Sequence, residues 1–157
     1  PGADEDAQGD AFVGRAGKLL TKIIEAIGLD RREIYICNVI KCRPPGNRDP
    51  LPQEISACES YLDRQIELIQ PTVVVTLGRF SMARAFPDAR ISRIHGEPRK
   101  IAGIVYYPMY HPAAALHRPS LRSTVEADVR RIPEVIERAP QMAECDPPPQ
   151  AEQLQLF

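Results

Sequence analysis

Apolar side chains recur at Leu19, Leu20, Ile23, Ile24 and Ile27, three or four residues apart, which predicts an amphipathic helix over Arg15 to Ile27 with Gly28 as its stop. A second stripe, Ile55, Cys58, Leu62, Ile66 and Ile69, predicts a helix from Gln53 to Gln70 that Pro71 ends. Between the two, the apolar run Ile34 to Ile40 predicts a strand, and Arg43 to Pro52, with four prolines, predicts an irregular loop. Thr72 to Leu77 is a continuous β-branched run, as expected of a strand covered on both faces. After Gly78 the pattern gives a short helix from Arg79 to Phe86, a segment from Ile91 to Arg99, a strand from Ile104 to Met109 and a last helix from about Ser120 to Ile136. Strands alternating with helices predict an α/β domain with a parallel sheet and right-handed crossovers. The expected division is one domain over residues 1–138 and a polar, proline-rich, disordered tail over 139–157.

Composition narrows the class. With 157 residues, 43% hydrophobic and 26% charged, the chain can build one ordinary soluble core. No apolar run approaches the ~20 residues a bilayer span needs, and no secretory leader is visible, so a cytoplasmic protein is expected. The net charge of −1 conceals a gradient. Residues 1–78 carry 9 basic and 12 acidic groups, 79–131 carry 10 and 4, and 132–157 carry 1 and 5. A basic middle between acidic ends suits contacts with phosphate, although a solvated arginine-rich surface would read the same way.

Candidate chemistry gathers where strands end. Asn38 lies near the end of the first predicted strand and Cys42 just past it, leading into Arg43-Pro-Pro-Gly-Asn47, while Tyr110-His111-Pro112-Ala-Ala-Ala-Leu116 follows the strand ending at Met109. Open α/β sheets bind ligands at such strand ends. Of four cysteines, Cys37 lies within a strand pattern and reads as a packed thiol, and Cys145 reads as a solvated bystander in the tail. Cys42 and Cys58, sixteen residues apart, are the pair that could hold a metal. His95 and His117 read as surface residues.

Taken together, Pro1-Gly-Ala-Asp-Glu-Asp6, Phe12-Val-Gly-Arg-Ala-Gly17, Asn38 to Pro50, Cys58, Leu77-Gly-Arg79 and His111 to Leu116 resemble the family 4 uracil-DNA glycosylases, which carry an iron–sulfur cluster. The resemblance runs in order from residue 1 to about 136. It implies a three-layer αβα sandwich around a short parallel sheet, whose first strand is expected to precede Pro1. It also implies hydrolysis of the N-glycosidic bond of deoxyuridine in DNA.

The residue types suit that chemistry. Uracil has to leave the duplex to be reached. Pro1, Gly2 and Phe12 would then hold the flipped base, Phe12 by stacking, although an ordinary core Phe reads alike. Asn38 would read the uracil edge, because one amide both donates and accepts; its alternative is a plain loop cap. His111 would donate to the oxygen that gains charge as the bond breaks. Asn47 would assist near the sugar. Ala114, Ala115 and Leu116 would form the wedge entering the base stack, with Arg118 near phosphate; Leu116 reads equally as a buried helix residue.

The resemblance further implies a [4Fe–4S] cluster in the full-length protein, with Cys42 and Cys58 as two of its four thiolate ligands. The family's other two ligands lie upstream of the Pro-Gly motif, and neither Cys37 nor Cys145 sits at a matching position. The loop from Arg43 to Glu54 has no histidine, unlike a subclass that links covalently to DNA, so ordinary turnover is expected. The terminal Gln153-Leu154-Gln-Leu156-Phe157 resembles the short peptide by which bacterial proteins bind the DNA sliding clamp. A monomer is expected. The alternatives are a non-catalytic, clamp-tethered damage-binding module and a glycosylase of the same fold for another deaminated base.

Overall fold

In the computed structural model, residues 1–146 are described. Two of the three predicted strands form where their patterns place them. β1 (Val73–Leu77) and β3 (Ile104–Met109) pair in parallel, Val73 opposite Val105 and Leu77 opposite Met109. The sheet is mixed rather than purely parallel, because β2 (Arg99–Ile101) adds to the far side of β3 antiparallel, giving the order β1-β3-β2. A two-residue turn makes this hairpin. Ala102 and Gly103 have φ of 49° and 80°, the left-handed pair whose twist matches that of the flanking strands.

β3 sorts its side chains by alternation. Val105, Tyr107 and Met109, each at most 1% exposed, face a cluster with Ile23, Ala115, Val125, Val129, Ile132 and Val135. Tyr106 points the other way, onto Met82, Ala85, Phe86 and Ile94. One face is therefore covered by α2 (Arg15–Ala26), α6 (Pro112–His117), α7 (Arg122–Arg130) and α8 (Ile132–Arg138). The other carries α4 (Arg79–Ala83) and α5 (Ile91–Ile94), which completes three layers of an α/β fold. The single last helix expected from the pattern is two. Pro133 lacks an N–H and sits in the first turn of α8, so the break falls at Arg131.

Three other expectations change. The run Ile34 to Ile40 joins no ladder. It follows a 3₁₀ turn at Arg31–Glu33 and is tied to α3 (Pro52–Ile69) by side chains: Lys41 Nζ donates to the Asn38 carbonyl and to Gln65 Oε1, and Gln65 Nε2 donates to the Tyr35 hydroxyl. Its apolar pattern is real, but a strand needs a hydrogen-bonding neighbour, and across from it lies open space. A cavity of about 1160 Å³ separates Ile34–Ile40 and the inner stripe of α3 (Leu62, Ile66, Ile69) from the free edge of β1. No residue of α3 is fully buried for the same reason. Second, Ala3–Gln8 forms α1, ahead of the first helix that the pattern predicts. Third, the tail does not begin at 139. Ala139 is 1% exposed, Ala139–Gln141 make a 3₁₀ turn, Glu144 bridges Lys100 of β2, and the Cys145 N–H donates to the Lys100 carbonyl at 2.8 Å. The expected tail peptide at Gln153, Leu154, Leu156 and Phe157 lies outside the described residues. Among the described residues no helix is long and apolar enough to cross a membrane.

Candidate active site

The β1 turn brings two distant parts of the chain together. Gly78 has φ 87° and ψ 178°, a conformation nearly restricted to glycine, and its N–H donates to the Met109 carbonyl at 2.8 Å. A Cβ there would come within 3.1 Å of the His111 Cβ, so the glycine lets the ends of β1 and β3 close on each other. His111 follows as the N-cap of α6. Its Nδ1 accepts from the Ala113 N–H at 3.1 Å. An acceptor nitrogen carries no proton, so the neutral ring holds its hydrogen on Nε2. Burial lowers the His111 pKa, with the nearby Glu5 carboxylate opposing the shift, which favours the neutral ring.

Phe12 lies against this imidazole with ring centres 5.3 Å apart and planes 28° from parallel. The loop that delivers it is constrained from both sides. Phe12 itself has φ 58°, unusual for a bulky residue. Glu5 holds the following backbone, accepting from Val13 N–H at 3.0 Å and Gly14 N–H at 2.8 Å, while its other oxygen accepts from Gly2 N–H at 3.1 Å. Burial pushes this carboxyl up, but the backbone donors of Gly14, Glu5, Val13 and Gly2 outweigh it and hold Glu5 below the usual carboxylate range. Gly17 closes the other side: a Cβ there would fall 1.7 Å from the Phe12 carbonyl oxygen.

Pro1, Gly2, Phe12, Asn38, Asn47 and His111 all line the same large cleft. Only Phe12 and His111 touch through their rings. Asn38 is half-buried, and its carbonyl is held by Lys41. Asn47 is exposed, has φ 56° and accepts from Arg43 Nε through its side-chain oxygen. The cleft is far larger than one pyrimidine needs, and most of its wall is apolar surface beside β1. Of the expected wedge, Leu116 is 38% exposed, and Ala114 is half-buried. Ala115 is corrected: at 7% exposure it packs into the core against β3, because helical rotation turns it inward from Leu116. Arg118 is exposed, and its N–H closes α6 on the Ala114 carbonyl.

Cys42 and Cys58 open on one small hollow of about 70 Å³ with Ile40, Arg43, Pro44 and Glu54. The Lys41 N–H points at Cys58 Sγ, 3.3 Å away. Among the described residues no group of three or more His, Cys, Asp or Glu side chains gathers as a metal site. Burial pushes the Cys37 thiol up, with Lys41 opposing it, so Cys37 is poorly suited to be a thiolate ligand.

Two features escaped the sequence pattern. Glu5 looked like one of several acids in an acidic stretch, and only its three amide partners distinguish it. His95, expected at the surface, has a side chain only 28% exposed and pairs through Nδ1 with Asp128 Oδ2 at 2.9 Å.

With this geometry in hand, comparison with known proteins is informative. Residues 1–132 match the family described as the Uracil DNA glycosylase superfamily. A type-4 uracil-DNA glycosylase of Sulfurisphaera tokodaii is 48% identical over 145 residues, covering 86% of this chain and 66% of its own length. Those of Archaeoglobus fulgidus and Saccharolobus solfataricus are 46% and 45% identical, covering 86% and 89% of this chain and 72% and 69% of theirs. The chain thus spans about two thirds of the length of the relatives it matches.

Proposed function

The chain belongs to the uracil-DNA glycosylase superfamily, within its type-4 group, and from that premise we propose that it hydrolyses the bond between uracil and deoxyribose in DNA, the first step of base-excision repair. The observation that carries this reading is His111 stacked beside the Phe12 ring, its Nδ1 occupied by the Ala113 N–H and its Nε2 without a protein partner among the described residues. Phe12 offers a flat face to a flipped base, and Asn38 offers a donor and an acceptor to the uracil edge. As the C1′–N1 bond breaks, its electron pair passes into the uracil ring and charge collects on a carbonyl oxygen. His111 Nε2–H stabilises that anion by donating to it, and the oxocarbenium-like sugar takes the oxygen of a water at C1′ while the water releases a proton. Asn47 assists at the sugar. Leu116 with Ala114 fills the vacated stack, and Arg118 meets phosphate.

Cys42 and Cys58 fit two positions of a [4Fe–4S] cluster, which takes four thiolates. They share one hollow, and Cys58 Sγ already faces a backbone N–H of the kind that cluster sulfurs accept. Such a cluster would cross-link this loop to the segment supplying the remaining thiolates. Its visible absorbance in the full-length protein, lost in Cys58→Ser, tests this. The peptide Gln153, Leu154, Leu156 and Phe157 we read as a sliding-clamp tether of a monomeric, cytoplasmic enzyme. Deleting it should abolish capture by purified clamp and leave uracil release from short oligonucleotides unchanged.

The primary test is incubation with an oligonucleotide containing one uracil. Free uracil and an abasic strand are expected. Tight retention of intact uracil-DNA would instead identify a damage-binding module, and release of hypoxanthine or xanthine in preference to uracil would reassign the base.

A further inference from the structure

Next to the proposed site but outside it lies a polar knot that the mechanism above does not use. Asp128, on α7, is 6% exposed and is the buried carboxylate among the core residues. It accepts from His95 Nδ1 at 2.9 Å. The His95 ring in turn packs on Tyr110, centre to centre 4.8 Å at 41°. Tyr110 is the residue before His111, where β3 ends and α6 begins.

The surroundings hold His95 in place. Gly96 has φ 74°, and a Cβ there would sit 2.6 Å from Asp128 Oδ1, so the glycine lets the loop lie directly on the carboxylate. Gly96 N–H donates to the Pro108 carbonyl at 2.8 Å, and its own carbonyl accepts from Arg131 Nη1 at 2.8 Å. The Tyr107 hydroxyl donates to the Asp128 carbonyl at 2.8 Å. Thus the loop after α5, the last residues of β3 and the end of α7 are tied together immediately behind His111. A buried carboxylate is retained at a cost unless it is fully partnered, and here its partnering is spent on one ring that touches the strand exit.

We propose that His95, aimed by Asp128, is a positioning residue for His111: it fixes Tyr110 and thereby the direction of the His111 Nε2–H. This rests on the reading of His111 as the donor to departing uracil. A misdirection of about 1 Å at a reacting group is enough to cost on the order of 10²-fold in rate. The effect should therefore appear in the chemical step and not in DNA affinity.

The test uses two substitutions in the intact protein, measured by single-turnover uracil release and by equilibrium binding to uracil-DNA. His95→Asn keeps a donor where Nδ1 stood and removes the ring; His95→Phe keeps the ring and removes the donor. Each is expected to slow release by about tenfold or more with affinity changed less than about twofold. In a His111→Ala background neither should slow it further, because the effect passes through His111. Losses that multiply in the double variants, or release rates equal to the parent's, would overturn the assignment, as would a lowered melting temperature with unchanged release. Failure of the parent protein to release uracil at all would instead remove the underlying reading of His111.

Discussion

The Ala113 N–H occupies His111 Nδ1 and leaves the ring proton to Nε2, so one backbone amide at the start of α6 sets the tautomer. Removing a single donor to a developing anion commonly costs about 10²–10³-fold in rate, and His111→Ala should fall in that range in a single-turnover assay. Asn38→Asp should lose uracil release while folding normally, since a carboxylate cannot donate to the base edge. The same histidine makes stability depend on pH. Its folded pKa is lowered by burial, so the unfolded chain binds the proton more readily, and stability rises with pH through that window. Its contribution is present above the unfolded value of about 6.5 and is lost as the pH falls through the folded one. Melting followed by circular dichroism should show a drop between neutral and mildly acid pH that is smaller in His111→Gln. His111 stands out in the sequence because it follows the β3 run directly before Pro112, and Asn38 because it is the polar residue that interrupts the apolar run Ile34 to Ile40. Glu5 and His95 do not, since their importance lies in partners 8 to 33 residues away that no local pattern encodes.

Among the elements, α6 divides its neighbours by rotation: Ala115 enters the core and Leu116 leaves it. If Leu116 holds the flipped state open, Leu116→Ala should slow release from duplex DNA severalfold more than from single strands, where no stack has to be filled. Equal slowing on both would show that the side chain supports α6 instead. The long stripes of α2 and α3 and the β-branched run of β1 were readable because their periods persist for several residues. β2 was not, because three residues, Arg99 to Ile101, are too few to show alternation. The run Ile34 to Ile40 shows the opposite failure. Its composition suits a strand, but pairing is a property of two segments, and its side chains are committed to α3.

Across the molecule the charge gradient gives a measurable expectation. If the basic middle meets phosphates, uracil-DNA affinity should fall steeply with salt, and Arg118→Gln should reduce the magnitude of the log–log slope by about 1 without altering base preference. Several other arginines of that region are already engaged. Arg79 pairs with Asp49 and Arg84 with Asp63, joining α4 to the loop before α3 and to α3 itself, so their loss should loosen the fold more than the DNA contact. The large cleft beside β1 has a practical effect. Its broad oily lining beside β1 offers a home to environment-sensitive fluorophores while the protein is still native, so dye-based thermal scans would start bright and report little at the transition.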